Sequence, residues 1–89
     1  MTKFYYVYIL RSKTTGKWYT GYTHDLRKRF KEHSEGKSSH TKNRGPYELI
    51  YYEAYKNKDD ARSRELQIKS GTGKAYLRKR INRFLSLSG

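Results

Sequence analysis

Residues 6–23, YVYILRSKTTGKWYTGYT, place two short runs of aromatic and β-branched residues on either side of a turn. The run over residues 4–10 contains no strand breaker, which predicts a strand buried on both faces. Thr-Thr-Gly-Lys lies within residues 12–17 and predicts the turn, after which residues 18–23 predict a returning strand. Together these segments predict a β-hairpin.

Two tyrosines and a glycine fall on defined faces of this hairpin. Side chains alternate along a strand, so Tyr8 shares a face with Leu10, and Tyr19 shares a face with Gly21. A glycine inside a strand usually marks a bulge or a close approach to the backbone. The pattern is typical of a small aromatic core, and it also suits a reactive site lined by these residues.

The rest of the sequence predicts three helices and a third strand. The first helix is expected over about 25–36, followed by a polar basic loop over residues 36–46. A third strand is predicted over residues 47–55, and two more helices over about 60–70 and 74–86. The order ββαβαα predicts an α+β fold, in which helices flank a small three-stranded antiparallel sheet.

Length and composition limit the classes of protein. The chain has 89 residues, which predicts a single domain over residues 1–89. Lys and Arg number 21 against 8 Asp and Glu, giving a net charge of +13, and such a field attracts nucleic acid. The predicted helices have narrow apolar faces, so we expect no membrane partner.

Cysteine is absent, which excludes disulfides and thiolate metal sites. The N-terminus lacks the layout of a signal peptide, and no apolar run approaches the length needed to span a membrane. These features predict a cytoplasmic protein, which we expect to be a monomer.

The first helix carries a candidate pair of functional side chains. Asp25 is a good N-cap, and Leu26, Phe30 and His33 follow at i, i+4 and i+7 as a buried stripe. Arg29 lies at the edge of this stripe, one turn before His33, so both are expected to face the sheet. The alternative is an arginine that covers apolar surface and a histidine that only completes the core.

One carboxylate occupies an apolar position in the second helix. Ala61, Glu65 and Ile68 share a face, and partly burying Glu65 costs free energy unless a cation or donors meet it. The alternatives are a salt bridge with an arginine and a ligand for Mg²⁺. The other acids are expected at helix starts, on the outer side of the first helix or, for Glu48 and Glu53, at exposed strand positions.

Basic residues cluster in two places that would contact phosphates. The loop contributes Lys37, Lys42 and Arg44, and the last helix contributes Lys74, Arg78 and Lys79. The alternative is a solvated charged face. The Gly71–Lys74 stretch resembles part of a phosphate-binding loop but lacks P-loop spacing, and the three histidines lack zinc-ligand spacing.

These motifs together resemble the GIY-YIG nuclease superfamily. Residues 6–8, Tyr-Val-Tyr, stand where the family has Gly-Ile-Tyr, and residues 19–21, Tyr-Thr-Gly, stand where it has Tyr-Ile-Gly. Residues 22–33 look like the family segment that follows, and residues 64–69 resemble its later helix. The resemblance covers nearly the whole chain and is strongest to small standalone bacterial members.

The resemblance implies metal-dependent endonuclease activity on nucleic acid, with DNA favoured over RNA, in DNA repair or processing. The implied cofactor is one divalent cation, Mg²⁺ or Mn²⁺, held by Glu65. Tyr19 would be the general base on the attacking water, with Tyr8 hydrogen-bonding nearby. Arg29 would stabilise the pentavalent phosphate.

The resemblance also gives His33 a role in proton transfer or in positioning the nucleophile, and Gly21 a role in letting the backbone approach the site. The late asparagine of the family has no clean counterpart, because Asn82 lies far beyond Glu65. The alternative function is a non-catalytic DNA- or RNA-binding module that retains the fold. A component of a protein–RNA assembly is a third interpretation.

Overall fold

The sheet has the three antiparallel strands that the sequence predicts. The computed structural model describes residues 3–35 and 45–87. Strands β1 (Tyr5–Ser12), β2 (Trp18–Thr23) and β3 (Tyr47–Tyr55) lie in the order β2-β1-β3. Strand β1 is therefore central and pairs with a neighbour along both edges, whereas β2 and β3 each leave one edge unpaired within the sheet.

The central position of β1 explains its unbroken apolar sequence. Val7, Tyr8, Ile9 and Leu10 are all almost fully buried. Val7 and Ile9 belong to one core cluster, and Tyr8 and Leu10 belong to a second cluster on the opposite face. The predicted burial of this strand on both faces is confirmed.

In the part of the chain that the structure describes, four helices cover the two faces of the sheet: α1 (Leu26–Ser34), α2 (Lys58–Lys69), α3 (Gly71–Arg80) and α4 (Asn82–Leu87). Helix α1 packs on the Tyr8 face through Leu26 and Phe30. Helices α2 and α3 pack on the Val7 face, where Ala61, Ile68 and Leu77 are buried. The fold is α+β, as predicted.

A bulge in the middle of β3 changes which of its side chains lie on each face of the sheet. Ile9 pairs with Tyr51, but Leu10 pairs with Leu49, so Ile50 is an extra residue in the ladder. Tyr47 and Leu49 therefore pack in the cluster beneath α1, whereas Ile50 and Tyr51 pack in the cluster beneath α2 and α3. The bulge places the later odd-numbered residues, Tyr51, Glu53 and Tyr55, on the α2 face, opposite to Tyr47 and Leu49.

In the C-terminal part of the chain, the helix boundaries differ from those predicted. Helix α2 begins at Lys58 because the side chain of Asn57 accepts hydrogen bonds from the backbone N–H groups of Asp59 and Asp60. Ser70 ends α2 and begins α3: its hydroxyl donates to the Gln67 carbonyl and accepts from the Gly73 N–H at 3.3 Å. The expected third helix is divided into α3 and α4 at Ile81, which packs against the core.

Among residues 3–35 and 45–87, no helix combines the length and the apolar character needed to cross a bilayer.

Gly73 allows α3 to pack closely on the end of α2. A Cβ at Gly73 would collide with the Gln67 carbonyl, whereas a Cβ at Gly71 would meet nothing within 4 Å. Gly73→Ala should lower the free energy of unfolding by about 1–3 kcal/mol because backbone atoms must move. Gly71→Ala is the matched control, and urea denaturation should show no loss of stability in it. Equal destabilisation of both variants would contradict this account of the α2–α3 junction.

Candidate active site

A cleft of about 530 Å³ lies along the free edge of β2. Consecutive residues of β2 line it, and because successive side chains point to opposite faces, the cleft extends around the strand edge onto both faces. Helix α1 borders it on one side, and the junction of α2 and α3 borders it on the other. The cleft brings together all the residues singled out for catalysis: Tyr8, Tyr19, Gly21, Arg29, His33 and Glu65.

Tyr8 and His33 form a buried polar pair at the base of the cleft. The Tyr8 hydroxyl lies 2.9 Å from Nε2 of His33, and the two rings meet edge to face. Arg29 also hydrogen-bonds the Tyr8 hydroxyl. Because a guanidinium can only donate, the Tyr8 oxygen accepts from Arg29, and its own proton is available to a neutral His33.

Burial raises the pKa of Tyr8 above its ordinary value, although the nearby Arg29 partly opposes the shift. The Tyr8 side chain is therefore a neutral phenol at physiological pH. The pKa of Arg29 is also raised, chiefly by its hydrogen bond to Tyr8, so the guanidinium stays charged. This part of the cleft offers a fixed hydroxyl and a fixed positive charge.

Gly21 makes room for Tyr8. The two residues are directly opposite each other in the β1–β2 ladder. A Cβ on residue 21 would collide with the hydroxyl and the ring of Tyr8. A glycine inside a strand predicts a close approach to the backbone, and here the Tyr8 ring makes that approach. The ring lies over the Gly21 backbone, and its hydroxyl reaches His33.

Tyr19 is more exposed than Tyr8, which is almost fully buried. It pairs with Leu10 in the ladder and remains partly exposed. Its ring meets that of Tyr47 edge to face, with 5.6 Å between centroids. This packing orients the ring, and the side chain lines the cleft.

Glu65 enters the cleft from α2, and its side chain is only 12% exposed. Its oxygens lie 3.3 Å from Nζ of Lys69 and 3.8 Å from Nε of Arg62. Both cations are more than half exposed, and ion pairs with exposed cations contribute about 0–1 kcal/mol. The salt-bridge alternative is thus present at ion-pair distance, but it holds the carboxylate only weakly.

The donor set around Glu65 suits a hard divalent cation that keeps much of its hydration. Within residues 3–35 and 45–87, no group of three His, Asp or Glu side chains could enclose a metal ion. A single carboxylate in an open cleft leaves coordination positions for water and for a phosphate oxygen. Mg²⁺ is commonly bound through one or two carboxylates together with waters and phosphates.

The predicted phosphate-binding residues have different positions. Lys74 lines the cleft, with Nζ 5.8 Å from the centroid of the Trp18 ring. The Arg78 guanidinium lies 4.4 Å from the same centroid. Lys79 is exposed on α3 and does not line the cleft. The remaining three residues, Lys37, Lys42 and Arg44, lie outside the described residues.

Glu53 is not at an exposed position, and the expectation for it was wrong. It lies on the α2 face and accepts hydrogen bonds from Tyr51, from Tyr55 at 2.6 Å, and from Arg64 at 2.8 and 3.0 Å. Burial alone would raise the pKa of Glu53, but these bonds outweigh it and lower that pKa. Glu48 is also partly buried, and it pairs with Arg11 at 2.9 Å.

The alternation of strand residues contains a signal for Glu53. It shares a face with Tyr51 and Tyr55, two residues that strongly favour burial at least in part. Burial and the nearby carboxylate raise the pKa of Tyr55 to about 12. The two tyrosines are therefore hydroxyl donors to Glu53 throughout the physiological range.

The fold and the cleft define a protein of the nuclease superfamily that the sequence motifs resemble. The profile of the GIY-YIG catalytic domain matches residues 4–82. The chain belongs to the GIY-YIG family, which confirms the resemblance, and nucleases of this family typically use a divalent metal.

Small microbial proteins are similar over most of the chain. UPF0213 protein CPE1444 of Clostridium perfringens is 47% identical over 68 residues, covering 75% of this chain and 72% of that protein. UPF0213 protein YazA of Bacillus subtilis is 40% identical over 74 residues, covering 82% and 74%. The solution NMR structure of UPF0213 protein BH0048 from Bacillus halodurans has a TM-score of 0.53 at 42% identity, covering 83% of this chain and 81% of that one. These names state no activity.

Proposed function

We propose that the protein is a cytoplasmic, metal-dependent endonuclease that hydrolyses phosphodiester bonds of DNA during repair or processing. One observation carries the proposal: side chains from β1, β2, α1 and α2 converge in one cleft, and they include the Glu65 carboxylate, a charged guanidinium, a histidine and the phenols of Tyr8 and Tyr19. All of them come from one chain, so the site requires no second copy.

Charge supports nucleic acid as the substrate. The net charge of +13 raises the rate at which the protein encounters a polyanion. Lys74 lines the cleft, and Arg78 lies one helical turn further along α3 over the same Trp18 ring. Both would contact backbone phosphates, which fix the position of the strand but carry no sequence information.

Glu65 would hold the divalent cation, Mg²⁺ or Mn²⁺. When bound, the ion supplies positive charge that neutralises the phosphate and the leaving 3′ oxygen. In its absence, Lys69 and Arg62 balance the carboxylate as exposed cations. The low exposure of Glu65 strengthens its attraction for a cation, since the carboxylate is only partly hydrated.

The two tyrosines would have separate tasks. Tyr19 is partly exposed and would take the proton of the attacking water. An ordinary tyrosine has a pKa of about 10, so this role needs positive charge nearby to favour the phenolate. Tyr8 stays protonated because burial raises its pKa, so it acts as a hydrogen-bonding group that holds Arg29 and His33 in place.

Arg29 would stabilise the pentavalent phosphate as the oxygen of water bonds to phosphorus and the bond to the 3′ oxygen breaks. A planar guanidinium can donate two hydrogen bonds to phosphate oxygens. Its bond to Tyr8 directs the group toward the cleft, and its raised pKa keeps it charged. His33 lies within reach of the Tyr8 proton and supports the same arrangement.

Glu65→Gln tests the metal site. The variant should lose Mg²⁺- or Mn²⁺-dependent cleavage of DNA by about 10²–10³-fold, because charge stabilisation at the phosphate is removed. DNA binding in EDTA should be retained. Asp60→Asn is the matched control, since it makes the same charge change at an exposed position in the first turn of the same helix.

Cleavage should persist in Asp60→Asn. Equal loss in both variants would contradict a local role for Glu65. Salt-sensitive binding of DNA or RNA by the wild type, with no cleavage of either, would favour a non-catalytic binding module instead.

Tyr19→Phe tests the general base. Removing the hydroxyl should reduce cleavage by about 10²–10⁴-fold while binding and stability remain, because the proton of water has no acceptor. Tyr52→Phe, at a tyrosine that is 54% exposed and outside the cleft, is the control and should keep its activity. Full activity in Tyr19→Phe, measured under single-turnover conditions, would remove Tyr19 from this role.

A further inference from the structure

A second polar cluster joins β3 to α2 on the side of the helix away from the cleft. The Glu53 carboxylate accepts from Nε of Arg64 at 2.8 Å and from Nη2 at 3.0 Å, which is a two-point contact. The Tyr51 and Tyr55 hydroxyls donate to the same carboxylate. The Glu53 and Arg64 side chains are 17% and 20% exposed. A two-point arginine–carboxylate contact fixes orientation as well as distance.

The cluster and the cleft lie on two sides of one helical turn. Helix α2 crosses the sheet and contacts all three strands. Arg64 and Glu65 are consecutive, so their side chains leave the helix about 100° apart. Arg64 is directed to β3 at one edge of the sheet, and Glu65 is directed to the cleft beside β2 at the other edge.

Apolar packing alone sets the rotation of α2 poorly. Its buried residues are Ala61 and Ile68, and only one of these is large. A narrow apolar stripe tolerates rotation about the helix axis better than a broad one. The guanidinium of Arg64 is in addition held from within the helix, since Nη1 donates to Oε1 of Gln67 at 2.7 Å.

We propose that Glu53 is a positioning residue for Glu65: its two-point contact with Arg64 sets the rotation of α2 and so directs the Glu65 carboxylate into the cleft. The inference rests on the proposed function, because it takes Glu65 as the group that holds the cation. Glu53 itself does not line the cleft and touches no reacting atom.

The chain offers a matched comparison for this contact. Glu48 also lies on β3 and also pairs with an arginine, Arg11, at 2.9 Å, with side-chain exposures of 33% and 17%. That pair joins β3 to β1 within the sheet, and it does not involve α2. Loss of either ion pair affects stability, but only loss of the Glu53 contact should change the metal site.

The test compares Mn²⁺ affinity in the full-length chain, measured by water proton relaxation without nucleic acid. Glu53→Gln keeps the size of the side chain and removes its charge, and it should weaken Mn²⁺ binding by about 10-fold, the low end of the loss seen when a group that orients a metal ligand is removed. Glu48→Gln should bind Mn²⁺ within about twofold of the wild type. DNA binding in EDTA should be equal in the wild type and in both variants. A general structural defect would weaken DNA binding and Mn²⁺ binding together, whereas a displaced Glu65 weakens only Mn²⁺ binding.

A second variant provides the same test if Glu53→Gln fails to fold. Arg64→Lys retains the charge but not the two-point contact, so it too should weaken Mn²⁺ binding relative to Glu48→Gln. Wild-type affinity in a folded Glu53→Gln or Arg64→Lys variant would overturn the positioning role. If Glu65→Gln abolishes Mn²⁺ binding in the same assay, the proposed metal site stands even then. If Glu65→Gln binds Mn²⁺ normally, both proposals fall.

Discussion

The candidate site depends on the contact in which the Tyr8 ring lies over the backbone of Gly21. Tyr8 is on the central strand and is only 3% exposed, so its hydroxyl must find partners within the protein. The missing side chain at Gly21 lets the ring extend across the strand to His33 and Arg29. The absence of a side chain at Gly21 therefore fixes Tyr8 of β1 relative to Arg29 and His33 of α1.

The opposite side of the cleft is assembled by different forces. Helix α2 has a narrow apolar stripe and brings a carboxylate toward the cleft, where cations flank it. The close packing of Gly73 against the end of α2 places Lys74 next to the same opening. The two sides meet at the edge of β2. The side that carries Tyr8 is fixed by hydrogen bonds, whereas the charge balance around Glu65 can change when a cation binds.

Periodicity predicted much of this architecture, because the buried faces are continuous. The hairpin, the stripe of α1 and the partial burial of Glu65 all follow from spacing along the chain, and the structure contains each of them. Glu53 was missed although it alternates with Tyr51 and Tyr55, because Arg64, the partner that holds it, belongs to another element. The bulge at Ile50 was not predicted, because a one-residue insertion in a ladder depends on pairing with β1.

The division of the last helix at Ile81 was missed for a related reason. That position has no glycine or proline, and its packing against the core is a tertiary effect. Similarly, spacing placed Arg29 and His33 on one side of α1 but could not show that both reach the hydroxyl of Tyr8. Periodicity in the sequence predicted which faces are buried. Contacts between side chains of different helices and strands could be identified only from the three-dimensional structure.

The central claim is that one divalent cation binds at Glu65, within reach of the tyrosines and Arg29. It is tested most directly by adding substoichiometric Mn²⁺ to the isotope-labelled full-length chain and mapping paramagnetic broadening by NMR. The account predicts that broadening is centred on Glu65 and extends to Gly21 and Tyr19 across the cleft. Broadening centred on the exposed carboxylates of Asp59 and Asp60, with the cleft unaffected, would contradict it.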